Sequence, residues 1–311
     1  MSKVATLARL LREDPGKISG ALAARLTEMG VLDILPDKAF LKLRYRAAMG
    51  RKLHLKNPET FNEKLQWLKL YDRDPRYTVL VDKFACREEI GQLIGQKHLI
   101  PLLGVWDRAQ DIDFEQLPDQ FVLKCNHDSA SVVICRDKET FDREAARKKL
   151  AAKLKKNLFQ WGREWPYKNV QPRIICEKYL SNDGNPPADY KIHCFGGQPK
   201  FILVCADRFS DGGLTEDFYT PDWEHMEVKR PHLSNAVVPQ PKPEELSEML
   251  AMAEKLAENI PFVRVDFYVV DGHIYFSEMT FFPACGFTAF EPDSYDTLFG
   301  QWIPLPERNK E

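Results

Sequence analysis

Two acidic residues lie among side chains that favour burial in residues 261–286: Asp266 in PFVRVDFYVV and Glu278 in GHIYFSEMT. Burying an unpaired carboxylate is costly, so each of these groups needs a partner. Two carboxylates that lie together repel each other unless a cation lies between them, and their hard oxygen atoms suit Mg²⁺. Arg264 stands two residues before Asp266. The segment therefore predicts a charged site on two neighbouring strands, with Mg²⁺ as the candidate cation.

The turn between these strands, at Asp271 and Gly272, decides which side chains share a face. A two-residue loop at these positions would pair Asp266 with Ser277 and place Glu278 on the opposite face, because side chains alternate along a strand.

A three-residue loop over residues 270–272 instead pairs Arg264 with Glu278 and Asp266 with Phe276. We predict this loop, since it gathers the charged side chains; a surface hairpin with scattered charges is the alternative. The residues expected on the shared face are Arg264, Asp266, Glu278 and Thr280.

A strand, a lysine and a loop of small polar residues follow one another in FVLKCNHDSASVVI, residues 121–134. Lys124 would emerge at the end of the strand and supply a positive charge to a phosphate group. Backbone N–H groups of the loop, together with the hydroxyls of Ser129 and Ser131, can hold phosphate oxygens. His127 is expected to form hydrogen bonds within the loop. The segment predicts a phosphate site.

Two further strands carry polar residues suited to a nucleotide. In DYKIHCFGG, Asp189 and Lys191 are two residues apart and share a face, so Asp189 could accept a hydrogen bond from a ribose hydroxyl and Lys191 could contact phosphate. The apolar strand in RIICEKYL is interrupted by a polar hinge that would offer backbone groups to an adenine edge; an exposed charged turn is the alternative. The hinge residues are Glu177, Lys178, Tyr179 and Leu180.

The composition is that of an ordinary soluble protein, with 44% hydrophobic and 29% charged residues among 311. This length allows one large domain or two modest ones. A net charge of -2 gives no reason to expect a nucleic-acid partner. Seven cysteines form no CxxC pair, which argues against zinc and predicts reduced thiols in a cytoplasmic protein. No apolar run is long enough to cross a membrane.

Helical and strand-like segments are mixed along the chain, which favours an α+β or α/β enzyme. Residues 1–50 contain three helical stretches, VATLARLLRED, GALAARLTEMG and one from Asp37, that would dock on the body or on a partner. The helix in residues 57–70 begins at Thr60, with Glu63 completing a capping box. Further helices are expected after Asp82 and over residues 139–157 and 243–259, and strands over residues 121–125, 132–135, 174–177, 190–195, 201–206 and 263–270.

The stretch REAARKKLAAKLKK, residues 143–156, carries seven basic residues and one acidic residue. This pattern is typical of a solvated helix face. The alternative is a docking surface for an acidic substrate or for anionic lipid headgroups. Through this stretch or residues 1–50, the chain could reach the inner face of the membrane or a polysaccharide-assembly partner.

Several blocks of the sequence resemble a known family. A lysine strand, the EKYL hinge, a DYK strand, then RVD and EMT, in this order, are similar to the ATP-grasp pattern of D-alanine:D-alanine ligases. The blocks NPETFNEKLQWLKLYDRDP, LVDKFACRE, FVLKCNH, ADYKIHCFGG, DFYTPDW and RVDFYVVDGHIYFSEMTF resemble the TupA-like ATP-grasp proteins of bacterial surface-polysaccharide loci. The resemblance covers about residues 51 to 290.

The resemblance implies an ATP-grasp fold, in which two α+β subdomains clamp ATP. The expected divisions are a helical N-terminal extension over residues 1–56, a region before the grasp over 57–120, a lid subdomain over 121–177, and a C-terminal subdomain with the metal site over 178–311.

The resemblance also implies roles for individual residues. Arg87 and Lys124 would contact the phosphates of ATP, residues 177–180 would line the adenine site, and Asp189 and Lys191 would lie on the ribose and phosphate side. Asp266 and Glu278 would hold Mg²⁺, and Arg264 would steady the transferred phosphoryl or the acyl-phosphate. This chain departs from the family at Thr280, where the usual third metal ligand is asparagine, and in the loop at residues 126–131, which lacks glycine and contains Asp128.

The implied reaction is ATP-dependent ligation of a carboxylate to an amine through an acyl-phosphate. The expected partners are ATP, an acidic sugar or polysaccharide such as a uronic acid, and an amino acid or other amine; Arg208 and the basic stretch would hold the acid. A kinase, a glycosyltransferase using Asp111 and Asp113, and a non-catalytic nucleotide-binding protein are the alternatives. The chain has no HRD or DFG set of a protein kinase.

Overall fold

Two antiparallel sheets form the framework of the chain in the computed structural model, which describes residues 20–182, 184–206, 213–231 and 233–307. One sheet has four strands in the order β1-β4-β2-β3, and the other has five in the order β7-β6-β5-β8-β9. The strands are Leu102–Trp106 (β1), Phe121–Cys125 (β2), Val133–Cys135 (β3), Ile174–Lys178 (β4), Asp189–Phe195 (β5), Gln198–Ala206 (β6), Thr215–Tyr219 (β7), Phe262–Val270 (β8) and His273–Thr280 (β9).

The helices of the described residues lie before, between and after these strands. The helix expected in VATLARLLRED lies outside the described residues, whereas those expected from residue 37, in residues 57–70, after Asp82, and in residues 139–157 and 243–259 are confirmed. The bounds are Gly20–Glu28 (α1), Asp37–Met49 (α2), Phe61–Tyr71 (α3), Arg76–Val81 (α4), Cys86–Ile94 (α5), Arg143–Leu154 (α6), Leu158–Gly162 (α7), Leu246–Leu256 (α8) and Ser294–Trp302 (α9).

Helix α3 begins with the expected capping box. The Thr60 side chain accepts a hydrogen bond from the backbone N–H of Glu63, and the Glu63 side chain accepts one from the backbone of Thr60. Phe61, the first residue of α3, packs edge-on against Phe262 of β8 and Phe299 of α9. The capping box therefore fixes the point at which α3 joins the core beneath the five-stranded sheet.

Each sheet has its own hydrophobic core. A large cluster joins the five-stranded sheet to α8, α9 and the helices that precede β1, and a smaller one joins the four-stranded sheet to α6. In α8 the inward stripe is the expected one, with Met249, Ala253 and Leu256 buried. Two sheets with separate cores confirm the predicted α+β class with two subdomains.

The β8–β9 hairpin differs from its prediction. The three-residue loop is wrong, because Val270 pairs with His273 across a two-residue turn. Both turn residues, Asp271 and Gly272, have positive φ, of 51° and 71°, as the tight hairpin turn with right-handed twist requires. A bulge then occurs at Ser277, so that the register shifts by one residue before the charged positions.

The bulge restores the predicted shared face. Asp266 lies directly opposite Glu278, and Arg264 lies opposite Thr280. The grouping of these four side chains is therefore confirmed, although by a bulge within the strand and not by the length of the loop.

Strands β1 and β7 were not predicted. Strand β1, LLGVW, contains a glycine and has a register shift between Leu102 and Gly104, and β7, TEDFY, begins with polar residues. Strand β1 falls in the region 57–120 that was expected to precede the grasp, yet it pairs with β4 and completes the four-stranded sheet. Among the described helices, none combines the length and the apolar character needed to cross a membrane.

Candidate functional site

Arg264 is the centre of a buried charged cluster on the five-stranded sheet. Its Nε donates to Asp266 Oδ1 at 2.6 Å and its Nη2 to Asp266 Oδ2 at 2.6 Å, a bidentate pair. The same Nη2 lies 3.0 Å from Glu278 Oε1 and 3.1 Å from Thr280 Oγ1. Strand alternation on β8 and the β9 bulge together place all four side chains on one face.

Lys191 extends this cluster onto β5. It lies directly opposite Asp266 in the sheet, and its Nζ donates to Asp266 Oδ2 at 2.7 Å and to Asp189 Oδ2. Lys191, Asp266 and Glu278 thus form a row across β5, β8 and β9. The sequence prediction that Asp189 and Lys191 share a face of β5 is confirmed.

The charges in this row strongly perturb one another. Burial alone would raise the pKa of Glu278, but the positive charges of Lys83, Arg264 and Lys191 outweigh it and hold that pKa well below its usual range. Burial alone would lower the pKa of Lys191, but Asp189 and Asp266 raise it above its usual value. The pKa of Asp189 is raised, mainly by burial. The surrounding cations therefore favour the ionised form of Glu278, and Asp189 and Asp266 favour the protonated form of Lys191.

Lys83 connects the two sheets and was missed by the sequence analysis. Its Nζ lies 3.1 Å from Glu278 Oε2 on β9 and donates to the backbone carbonyl of Asp128, in the loop after β2, at 2.8 Å. Its backbone N–H donates to the carbonyl of Asn126 in the same loop. Lys83 belongs to the block LVDKFACRE, which resembles the family and also contains Arg87.

A second charged group lies on the four-stranded sheet. Lys124 Nζ of β2 is 2.7 Å from Glu177 Oε2 of β4, and Arg87 Nη1 of α5 is 3.4 Å from Glu177 Oε1. Arg87 Nη2 also donates to the carbonyl of Ile100 at 2.6 Å. Lys124 and Glu177 are both buried. Three residues predicted separately from the sequence therefore meet at one place.

The hinge of residues 177–180, at the end of β4, is partly apolar. Lys178 is exposed, whereas Tyr179 and Leu180 are buried. Leu180 packs with Ile100 and Val270 in a small hydrophobic cluster of its own, which joins the ends of the two sheets. The Tyr179 hydroxyl is buried and has no hydrogen-bond partner in the described part of the chain.

The loop over residues 126–131 is held by hydrogen bonds of its own and by bonds to neighbouring segments. The Ser131 hydroxyl accepts from the backbone N–H of Cys125 at 2.7 Å and donates to the carboxylate of Asp128, so both of its roles are filled within the loop. Ser129 is exposed. His127 lies 3.0 Å from the carbonyl of Lys156, which confirms it as a hydrogen-bonding residue of the loop.

The other candidates divide as follows. Arg208 lies outside the described residues. Asp113 caps a helical turn by accepting from the backbone N–H of Glu115 at 3.0 Å, and Asp111 is exposed, so this pair is a structural feature of a surface loop. Within the described ranges, no group of three or more His, Cys, Asp or Glu side chains is arranged to hold a metal ion.

Comparison with known proteins identifies the family of the chain. The model of the family described as TupA-like ATPgrasp matches residues 63–304. No protein of curated function matches the chain.

Several solved ligase structures are similar to the chain at low identity. For D-alanine–D-alanine ligase from Bacillus anthracis complexed with ATP, identity is 18%, the TM-score is 0.38, and the match covers 65% of this chain and 55% of that one. For the ADP complex of PurK, N5-carboxyaminoimidazole ribonucleotide synthetase, identity is 13% and the TM-score is 0.39. This match covers 70% of this chain and 50% of that one. The chain thus spans about half the length of these two enzymes, 55% and 50%.

Proposed function

Because the chain belongs to the TupA-like ATP-grasp family, matched over residues 63–304, we propose that it is an ATP- and Mg²⁺-dependent ligase that joins a carboxylate to an amine. The observation that carries this proposal is the presence of a buried charged group on each sheet, with Lys83 linking Glu278 of the five-stranded sheet to the loop that follows β2 of the four-stranded sheet. Cations on both sheets would face the same triphosphate, as a nucleotide clamped between two subdomains requires.

The nucleotide would lie along these cations. Lys124 and Arg87 would bind phosphate from the four-stranded sheet, and Lys191 from the five-stranded sheet. The adenine would lie against the hinge, where Leu180 belongs to an apolar cluster and the buried Tyr179 hydroxyl lacks a partner among the described residues. A buried hydroxyl without a partner is unfavourable, and a bound ligand would satisfy it.

Mg²⁺ would be held by Asp266 and Glu278, with Thr280 beside them. The two carboxylates face each other directly on neighbouring strands, and nucleotide-bound Mg²⁺ needs only one or two protein carboxylates because phosphate oxygens and water complete its shell. When bound, the ion would neutralise charge on the phosphates. Lys83 and Arg264, which now contact these carboxylates, would turn toward the phosphoryl oxygens.

The proposed chemistry has two steps. A substrate carboxylate oxygen attacks the γ-phosphorus of ATP, the bond from that phosphorus to the bridging oxygen breaks, and ADP leaves. An amine then attacks the carbonyl carbon of the acyl-phosphate, phosphate leaves with the C–O bond electrons, and the amine releases a proton as the amide forms. Arg264 and Lys191 would stabilise negative charge on the phosphoryl group in transit.

For the substrates, we propose an acidic sugar or sugar polymer as the carboxylate and an amino acid or other amine as the nucleophile, in bacterial surface-polysaccharide synthesis. The exposed lysines of α6 and the turn that follows it, such as Lys148 and Lys155, support an acidic partner, which is either the polymer or the inner face of the membrane. We propose that the chain acts in the cytoplasm, where ATP is available.

The test is ADP release from ATP and Mg²⁺ across a panel of uronic acids and their oligomers, each with and without pooled amino acids. Release that needs both an acid and an amine, with a new amide detected by mass spectrometry, is the expected result. Release with an acid or an alcohol acceptor alone, with a phosphorylated product, would indicate a kinase. Nucleotide binding without release under any pairing would indicate a non-catalytic protein.

A further inference from the structure

Arg44 lies outside the region matched by the family and has an unusual environment. It is on α2, and only 6% of its surface is exposed. Its guanidinium carbon lies 5.5 Å from the ring centroid of Trp161 and 5.4 Å from that of Phe287. Both contacts are within the range of cation–π attraction. The charge is thus held between two aromatic rings and largely shielded from water.

No anion neutralises this charge in the described part of the chain. Arg44 forms no hydrogen bond or ion pair with any described residue. Its Nε is buried without a hydrogen-bond partner, as is that of Arg163, so the distinguishing feature of Arg44 is the lack of a nearby carboxylate. Arg163 has a similar aromatic environment, against Phe40 and Phe159, but it pairs with Asp37 at 3.3 Å. Buried charges are normally paired, because an unpaired one is strongly unfavourable. Of these two arginines, Arg44 alone lacks a carboxylate partner among the described residues.

The walls of the Arg44 site are fixed to the body of the protein. Lys69 of α3 donates to the carbonyls of Gly162 at 2.8 Å and Cys285 at 2.7 Å. These bonds hold both the segment that carries Trp161 and the loop that carries Phe287. The site is thus built of rigid parts, as recognition of a particular group requires.

The same loop connects the Arg44 site to the proposed phosphoryl-transfer site. It follows β9 directly, and Cys285 donates its thiol hydrogen to Glu164 Oε1 at 3.0 Å. Burial raises the pKa of Glu164 and the charge of Lys69 opposes this rise, with smaller effects from Arg264 and Glu278. Trp161 is 38% exposed, so the aromatic wall reaches the surface. Glu164 and the loop after β9 thus lie between the Arg44 site and Arg264.

We propose that Arg44 recognises a substrate carboxylate other than the one that is activated. The planar guanidinium matches a carboxylate in a bidentate geometry, and a water-poor aromatic setting strengthens such a pair. The carboxylate could come from a neighbouring uronic acid of the polymer or from the amino acid. This assignment deepens the proposed function and rests on it.

The test is calorimetric titration of the Arg44→Met variant with two acidic probes, trigalacturonate and L-glutamate, and with the neutral galactose trimer, in the presence of ADP and Mg²⁺. Loss of a bidentate charged contact should weaken one acidic probe by about 10-fold or more. The probe that is affected names the substrate. Arg73→Met is the matched control, since Arg73 also stacks on a tryptophan, Trp165 at 5.4 Å, but is exposed.

Thermal unfolding separates recognition from a structural role. Replacing an unpaired buried charge by methionine should leave the melting temperature unchanged or raise it. Three results would each overturn the assignment. The first is equal affinity of wild type and Arg44→Met for both acids, and the second is no saturable binding of either acid by wild type. The third is a melting temperature that falls in Arg44→Met without a change in affinity. The affinity for ATP, measured separately, should be the same in wild type and Arg44→Met. If wild type does not bind ATP, the proposed function itself is refuted.

Discussion

Asp266→Asn gives the sharpest test of the charged cluster. The Asp266 side chain is 1% exposed and accepts three hydrogen bonds, at 2.6 and 2.6 Å from Arg264 and at 2.7 Å from Lys191. Asparagine keeps the shape but removes the charge, so two buried cations lose their shared partner. Breaking a buried ion pair on one side costs about 3–5 kcal/mol. Because Glu278 and Asp189 remain beside the cations, we expect the lower end, about 3 kcal/mol.

The assay is urea unfolding followed by far-ultraviolet circular dichroism, with Asp293→Asn as the control. Asp293 pairs with Arg51 at 2.9 Å, but its side chain is 67% exposed. An exposed ion pair contributes less than about 1 kcal/mol, so the control should unfold close to wild type. ADP release is measured in the same preparations at low temperature, where Asp266→Asn is folded, and should be lost in that variant alone.

Equal unfolding free energies for Asp266→Asn and Asp293→Asn would contradict this reasoning. That result would mean that water or mobile side chains screen the cluster in the free protein, and that the short contacts around Arg264 do not contribute to stability. Retention of wild-type ADP release in Asp266→Asn would separately remove this carboxylate from the proposed metal site.

Four further variants test the remaining assignments. Lys124→Ala should raise the dissociation constant for ATP about 10-fold in calorimetry, because it removes a charged phosphate contact; unchanged binding would remove Lys124 from the phosphate site. Lys83→Met should lower ADP release by separating the loop after β2 from β9, and wild-type rates would show that this link is dispensable. The pKa of Glu278 is lower in the folded protein than the unfolded value of 4.5. The extra unfolding free energy of wild type over Glu278→Gln should therefore be complete above pH 4.5 and decline as the pH falls below it. A constant difference down to strongly acidic pH would contradict the pairing of Glu278 with its cations. Burial lowers the pKa of Lys69 from 10.5 to about 8, so between these pH values the unfolded chain binds more protons than the folded one. The unfolding free energy of wild type should therefore rise relative to that of Lys69→Met as the pH rises through this window. A difference in unfolding free energy that does not change with pH would indicate that Lys69 contacts solvent.

The β8–β9 hairpin shows where prediction from the sequence succeeds and where it stops. The apolar alternation and the Asp271-Gly272 turn identify two strands, and the need to gather Arg264, Asp266 and Glu278 identifies the face. The bulge at Ser277 leaves no mark of its own in the sequence, since any residue can be the unpaired one. The correct face was therefore inferred through an incorrect loop.

Contacts between distant parts of the chain were harder to predict. Lys124, Glu177 and Arg87 were each identified from local pattern or resemblance, but only the pairing of β2 with β4 brings the first two together. Lys83 lies in the short turn between α4 and α5, and its partner Glu278 is on the far sheet. Ser131 is a loop serine by sequence, yet its hydroxyl turns inward to Cys125. Local pattern gives the type of a residue and its face, whereas its partner depends on the register of the sheets.

The proposed nucleotide site is already neutralised by the protein itself. Lys124 pairs with Glu177, Lys191 with Asp266, and Lys83 with Glu278. These pairs keep the buried cations in place when no nucleotide is bound, where unpaired charges would be strongly unfavourable. A bound triphosphate would compete with these carboxylates for the lysines. As the lysines move toward phosphate, Asp266 and Glu278 would lose positive charge, and a metal ion between them would restore it. Nucleotide and Mg²⁺ should therefore bind cooperatively, since each relieves the charge that the other displaces. Arg44 has no such internal carboxylate among the described residues, which is why its partner is sought in the substrate.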